Sequence, residues 1–510
     1  MRIDKFITGL LGMFMAVQGA AQPLVLRDAD FKHYVDRFNT LPQETVVQPI
    51  PDAASWNWMQ KNIPLFSCPD KKFEEIYYFR WWTLRKHIIQ TPQGFAITEF
   101  LIKRSYADKY NLISSGLGHH IYEARWLHNQ QYLDDDLLTW YRGNEGKPLK
   151  KLRFYSSWNS DAIYNRFLVN GNTAFVKNLL PDLQADYQAW EDEKRYPGGL
   201  FWQYDVRDAM EETISGGRKE KNPRPSINGY MYGNAKAISA IAMLAGNTTL
   251  QHLYQEKADT LKKLVQRNLW NSKAQFFEVR KQPADTLANV MEEIGFIPWY
   301  FNMPDASYSR AWSKLMSPAH FNAPAGITTA DRSHPAFRTH GCCKCEWDGA
   351  VWPFATAQTL TAMANLLNNY RQAYVSKKDY FLQLKKYAAA QHKNGAPYIG
   401  EYMDEKTGQW LTADERGRYY NHSTFNDLVI TGLAGLRPRA DNQVEVNPLL
   451  PAGTWDWFAL DNILYHGKIL TIIWDKTGKK YHKGKGLSVW ADGKLVGRSD
   501  KLGIVKGILK

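Results

Sequence analysis

The sequence predicts a mainly helical protein, a toroid of paired helices followed by a small β-sandwich. Two observations carry this. Apolar residues recur at helical spacing in about a dozen stretches between residues 70 and 437. Beyond Gly435-Leu-Arg-Pro438 the pattern changes to short β-like runs. Long loops rich in Gly, Pro and aromatic residues join the helical stretches, and in a toroid of alternating inner and outer helices they gather at one mouth, where function is expected.

Residues 1–21 read as a secretory leader. Met1-Arg-Ile-Asp-Lys5 is a short basic start, Phe6 to Val17 an apolar run, and Gly19-Ala-Ala21 a small-residue cleavage site. The run is too short to span a bilayer permanently, and no second stretch of about 18 apolar residues follows. The expected mature protein is exported, most simply to a bacterial periplasm, without stable membrane insertion. Residues 22–65 read as an extended segment.

The helical domain is expected over residues 66–437. Pro69-Asp70 opens a helix through Phe73, Ile76, Tyr77 and Trp81, and Ile238, Ile241, Ala242 and Ala245 mark another that stops at Gly246. After a short Asn-Thr-Thr turn, Leu250, Leu253, Leu261, Leu264 and Val265 continue the helical period. Further helices start at Pro353 and near Asp379. Residues 438–510 form the expected sandwich: Val444-Glu-Val446, Trp455 to Leu460, Lys468 to Trp474 and Leu487 to Trp490 are strand-like, and Asp492-Gly493 signals a hairpin.

Composition supports a folded protein with one large and one small domain. Of the 510 residues 44% are hydrophobic, which excludes a disordered chain. Aromatics reach 14%, with 19 Trp and 28 Tyr. Such side chains stack on the flat C–H faces of sugar rings, although a large aromatic core has the same composition. The formal charge of +13 is scattered, with no basic helix or arm, and reads as a solvated surface rather than a nucleic-acid interface.

Two acidic segments nearly two hundred residues apart are the strongest chemical signal: Gly199 to Glu211, which holds Asp205, Asp208 and Glu211 with Glu212 following, and Tyr398 to Gly408, which holds Glu401 and Asp404. Glycoside hydrolysis needs one carboxyl group protonated toward the leaving oxygen and a second ionised. Supporting candidates for sugar recognition are Trp81 and Trp82, Trp158 with Asp161, Tyr204, Arg207, Tyr230, Trp347 with Asp348 and Trp352, and His422. Each alone is as well explained by packing. Asp348 stands out, because a charge inside an aromatic segment is costly unless it is paired or liganded.

Three motifs, in order, resemble those of glycoside hydrolase family 63 and the related mannosylglycerate hydrolases. Trp347-Asp-Gly-Ala-Val-Trp352-Pro is similar to their aromatic-Arg-Gly-Pro-Val/Ile-Trp signature. Arg207-Asp208-Ala-Met210 sits where they carry the general-acid loop, and Gly400-Glu401-Tyr-Met-Asp404-Glu-Lys-Thr-Gly408 resembles their general-base segment. The resemblance implies an (α/α)6 barrel and an inverting exo-glycosidase acting on an α-linked gluco- or manno-configured unit of an oligosaccharide, with Asp208 as general acid, Glu401 as general base and no cofactor. Inversion places the two carboxyl groups about 6.5–9.5 Å apart. Asp348 in place of the signature Arg, Ala350 in place of Pro, and Val206 before the acid depart from the pattern where the sugar is expected to bind.

Cysteines leave a second reading open. Cys342, Cys343 and Cys345 crowd between His340 and Glu346, while Cys68 stands alone. A disulfide from Cys68 to one of the three suits an exported protein, and three thiolates with His340 or Glu346 are candidate zinc ligands, though too close in sequence to surround one ion easily. The cluster resembles part of the site of zinc- and cysteine-dependent arabinofuranosidases, which share the (α/α)6 barrel. His119 and His120 with Glu123 read as helix packing more readily than as a metal site. A third reading is a noncatalytic glycan-binding protein on a hydrolase scaffold.

Overall fold

The computed structural model describes residues 25–42, 46, 48–339 and 345–510. The expected leader and His340, Cys342 and Cys343 lie outside them. Helices alternate between an outer and an inner layer. The outer layer holds α3 (Lys71–His87), α5 (Gln131–Arg142), α7 (Thr173–Lys194), α9 (Thr248–Asn268), the 3-10 helix Ala306–Lys314 and α12 (Lys377–Ala390). The inner layer holds α4 (Leu117–Ala124), α6 (Asn159–Asn170), α8 (Pro225–Leu244), α10 (Ile297–Tyr300), α11 (Pro353–Asn369) and the π-helical turn Leu428–Leu433. Neighbouring inner elements pack on one another in chain order, α4 on α6, α6 on α8, and so on to the π-helical turn on α11. The helices form the expected toroid.

Local chemistry explains the helix ends. Asp70 caps α3 by accepting from the Phe73 amide at 3.2 Å, and Arg85 and Lys86 lie in its last turn, where cations complement the helix dipole. Ser376 and Asp379 form a reciprocal capping box on α12. Gly246, at φ 73°, ends the turn after α8 in the left-handed conformation that glycine adopts without strain.

The segment before α3 is not extended. It folds as α1 (Lys32–Phe38) and α2 (Ser55–Asn62), which pack on α3. Burial on two sides explains why α3 is apolar and aromatic around most of its circumference: Phe79 and Trp82 face Phe38 of α1. Leu65–Ser67 is a strand, but its partner lies in the C-terminal domain, where Leu65 pairs with Asp461 and Ser67 with Ala459. It becomes the edge of a five-stranded antiparallel sheet with Trp457–Tyr465, Lys468–Asp475, Gly486–Ala491 and Lys494–Ser499. The hairpin at Asp492-Gly493 has both residues at positive φ, as an Asp-Gly turn requires. A three-stranded sheet of Leu436–Arg437, Gln443–Val446 and Val505–Ile508 completes the small domain.

Buried polar contacts close the ring. Glu123, on α4, accepts from the backbone amides of Asn426 (2.9 Å) and Asp427 (3.0 Å), and both its oxygens lie 3.2 Å from the Phe425 amide. Asp427 in turn accepts from Arg125 at 3.0 and 2.7 Å and from the Trp126 indole at 2.7 Å. His119, beside Glu123, packs between Trp158 and Phe354, so this trio is structural rather than a metal site. Arg125 and Asp427 are both buried, so Asp427→Ala strands an uncompensated guanidinium. Chemical denaturation is expected to show a loss of about 3–5 kcal/mol.

Candidate active site

At one mouth of the toroid lies a cavity of about 370 Å³ lined by three carboxylates from distant segments, Glu99, Glu211 and Glu401. That volume is at the small end of the roughly 300–1,000 Å³ typical of ligand pockets. A larger groove of about 1240 Å³ runs outside the ring along α1 and α12. Its carboxylates are spent in ion pairs, among them Arg27 to Asp30 (2.7 Å), Lys385 to Asp70 (2.9 Å) and Lys71 to Glu74 (2.8 Å). The smaller cavity is where chemically competent groups converge.

Glu401 follows the short pair Ala396–Pro397 and is held by the next loop. Its Oε1 accepts from Arg416 Nη2 at 2.7 Å, and Thr412 Oγ1 lies 3.4 Å from Oε2. Burial pushes the carboxyl up to about 8, against the pull of Arg416 and aided by the repulsion of Glu211 and Glu99. The segment is anchored to the aromatic motif by paired backbone bonds between Met403 and Val351 at 3.0 Å. Trp352 stacks between Tyr402 and Trp347, at 4.7 Å from each, which builds an aromatic wall beside Glu401.

The acid loop arranges its carboxylates differently from the sequence expectation. Asp208 is buried and turned away from the cavity; its Oδ2 accepts from Arg224 Nε at 2.8 Å and from the Ser226 hydroxyl. Glu211 takes the place on the cavity wall. Ala209 and Glu212, at φ 59° and 67°, are left-handed non-glycine residues that bracket it and reverse the chain. The Trp347 amide donates to the Glu211 carbonyl at 3.3 Å and ties the loop to the aromatic wall. Burial raises the Glu211 carboxyl to about 7, with Asp205 adding repulsion and Arg218 and Arg416 opposing. Asp205 is buried beneath the loop, and Glu212 is paired with Arg218 at 2.7 Å.

Of the other expected residues, Arg207, Trp347, Trp352 and His422 line the cavity. The Arg207 guanidinium lies 3.3 Å over the Phe154 ring. His422 is buried against Phe354 and Tyr420, burial holds its imidazole neutral, and neither ring nitrogen has a protein partner. The Trp347 indole nitrogen is likewise without one. These orphaned atoms suit a hydroxyl-bearing ligand.

The remaining candidates serve packing. Trp81 sits against Tyr77, and Trp82 donates to Asn39 Oδ1 at 2.8 Å beneath α1. Trp158 lies one layer below the cavity floor, where a Cβ on Gly118 would stand 2.3 Å from its ring, so only glycine lets α4 approach. Asp161 accepts from the Tyr122 hydroxyl at 2.7 Å, Tyr230 accepts from Gln358 at 2.8 Å, and Tyr204 packs on Trp202. Asp348 is fully buried, 3.9 Å from Arg338, which also contacts Glu405 at 3.3 Å and so ties the aromatic motif to the Glu401 segment.

Cys68 is buried and free, its thiol 3.3 Å from the Asp70 carbonyl. Cys345 is a free thiol on the cavity wall, and burial pushes its pKa upward, away from a reactive thiolate. Among the described residues no cluster of His, Cys, Asp and Glu could hold a metal ion, and no helix is long and apolar enough to cross a membrane.

An (α/α) toroid whose mouth gathers carboxylates against an aromatic wall defines a glycoside hydrolase architecture. Residues 109–423 match the mannosylglycerate hydrolase MGH1-like glycoside hydrolase domain, and the protein belongs to that family. Residues 436–497 match the C-terminal domain of glycosyl hydrolase family 65. A solved structure called a sialidase is 56% identical, with a TM-score of 0.93 over 94% of this chain and 45% of that one. The GH63 mannosylglycerate hydrolase of Thermus thermophilus, solved with glucose, shares the fold at 12% identity, with a TM-score of 0.52 over 70% of this chain and 98% of that one. An uncharacterized protein of Borreliella burgdorferi is 24% identical over 184 residues, 35% of this chain and 37% of its own length. The chain thus spans less than half the length of the sialidase-named structure and of the Borreliella relative.

The two carboxylates of the acid loop are separable by stability. Asp208→Asn leaves Arg224 buried without its counter-charge and is expected to cost about 3 kcal/mol in denaturant unfolding. Glu211→Gln, which removes a charge from a carboxylate-rich wall, is expected to be neutral or stabilising in the same measurement.

Proposed function

We propose that the protein is an exported, exo-acting glycosidase in which Glu211 is the general acid and Glu401 the general base. The convergence of these two carboxyl groups on one cavity, with only Glu401 bonded to a guanidinium, carries the assignment. Burial lifts both carboxyl groups, Glu401 to about 8 and Glu211 to about 7, and Arg416 opposes that lift at Glu401, where it supplies a counter-charge for the ionised form. In the proposed reaction Glu211 gives its proton to the glycosidic oxygen as the bond to the anomeric carbon breaks. Glu401 takes a proton from the water that attacks that carbon. Glu211 ends ionised and Glu401 protonated, and exchange with solvent resets both.

The small volume of the cavity, about 370 Å³, favours removal of a terminal sugar over cleavage within a chain. The family-63-like order of motifs favours an α-linked gluco- or manno-configured unit and inversion. Release of sialic acid, suggested by the name of the 56%-identical structure, is the second reading. The deciding experiment is sugar release from a panel of α- and β-linked oligosaccharides that includes sialylated ones. Release by the wild type, lost in Glu401→Gln but kept in Cys345→Ser and in the presence of chelator, supports the carboxylate mechanism; loss in Cys345→Ser or with chelator points to the zinc and thiolate chemistry instead.

Glu211→Gln and Glu401→Gln are each expected to lower kcat/KM at least 10³-fold in a protein that still folds, with Glu401→Gln losing some stability through its broken pair with Arg416. A decrease below tenfold in both would sink the assignment. The active form carries one proton on the pair. Below both raised pKa values the base is lost, above both the acid is lost, and kcat/KM is expected to peak near neutrality, between about pH 7 and 8. A profile with its maximum below pH 5 would contradict it.

A further inference from the structure

The cavity holds a third carboxylate that lies outside both acidic segments. Glu99, only 3% exposed, accepts from Ser115 Oγ at 2.7 Å and from the Tyr420 hydroxyl. Its backbone is clamped in place as well: the Glu99 carbonyl accepts from the Asn421 amide at 3.0 Å, and the Thr98 carbonyl accepts from the Asn421 side chain at 3.1 Å. A Cβ on Gly116 would stand 3.1 Å from Glu99 Oε2, so the carboxylate fills space that a side chain there would contest. Ser115 and Tyr420 donate through hydroxyls and the Gly116 backbone adds a third hydrogen bond, which leaves acceptor capacity on the carboxylate for one ligand hydroxyl. The same cavity is lined by His422 and Trp347, whose buried ring nitrogens have no partner among the described residues.

We propose that Glu99 is a specificity-determining residue of this cavity: it accepts a hydrogen bond from a hydroxyl of the terminal sugar, and its carboxyl group, crowded beside Glu211 and Glu401, disfavours sugars that carry a further carboxylate. The inference rests on the cavity being the sugar site of a glycosidase. Arg416 is already bonded to Glu401, and Arg207 is turned onto Phe154, so an anionic sugar would add a fourth carboxyl group to three that already crowd one another, with no free guanidinium among the described cavity residues to receive it. A neutral ring meets acceptors for its hydroxyl protons in the carboxylates and partners for its oxygens in Trp347 and His422. Uronates and sialic acid are therefore poor occupants, in contrast to the name of the 56%-identical structure.

Calorimetric binding of free monosaccharides tests this without turnover. Wild-type protein, Glu99→Gln and Glu99→Asp are titrated with neutral hexoses, deoxyhexoses and pentoses and with glucuronate, galacturonate and N-acetylneuraminate. The wild type is expected to bind its best neutral sugar at least tenfold more tightly than any carboxylated one. Glu99→Gln weakens the neutral sugar at least tenfold and narrows that preference, while Glu99→Asp recovers part of the loss. Affinity of Glu99→Gln within twofold of wild type, a carboxylated sugar as the tightest wild-type ligand, or no binding of any sugar would each overturn the proposal. Should Glu99→Gln fail to fold, the wild-type preference decides alone. Selective binding without sugar release in the oligosaccharide panel would defeat the hydrolase reading and leave the role of Glu99 standing.

Discussion

The structure depends on the closure of its ring. A toroid has no fixed mouth until its last inner element meets its first, and here the meeting is polar and buried: Glu123 receives the amides that open the final turn, and Arg125 grips Asp427. Backbone amides that would otherwise be orphaned at a helix start are satisfied by a carboxylate, which also suits the positive end of that turn. Two histidines extend the seam. His87 and His120 donate to the carbonyls of Tyr419 and Asn421 at 2.7 and 2.6 Å, and burial holds both rings neutral. Tyr420 and His422 enter the cavity from this seam, and Arg416 just before it, so the accuracy of the site is inherited from the closure.

Within the cavity, burial and mutual repulsion do the tuning. Three carboxyl groups in one small space cannot all be ionised cheaply, and each is lifted toward neutrality: Glu99 and Glu211 to about 7, Glu401 to about 8. The guanidinium bonded to Glu401 sets that group apart by contact, but burial outweighs it and leaves Glu401 the highest of the three. The aromatic wall of Trp347, Trp352 and Tyr402 excludes water and strengthens both effects.

How much of this was legible in the sequence varies with the scale of the signal. Helices α3, α8, α9, α11 and α12 are written in apolar period and in local caps such as Asp70, Gly246 and Pro353, which act within one turn. The acid loop is a different problem. Its motif is visible, but two left-handed residues decide which of its carboxylates faces the cavity, and neither is a glycine that would announce the turn. Trp81 and Trp82 resemble sugar platforms because an aromatic helix looks alike whether it lines a cleft or lies under α1 and α2. Glu99 carried no motif, and its importance comes from partners more than three hundred residues away. Long-range pairing also hid the strand Leu65–Ser67 in what reads as an extended lead-in.

That strand has a consequence for how the chain can assemble. Residues near position 65 complete a sheet whose other members lie beyond position 456, and the ring seals between positions near 123 and 427. Neither contact can form until most of the polypeptide has been made, so the toroid waits open during synthesis with its aromatic inner surface uncovered. Such dependence on distant contacts slows folding and lengthens exposure to aggregation. It also means that the tail is no detachable module: cutting the chain near residue 438 would leave the first strand without its partner and the barrel with an unpaired edge.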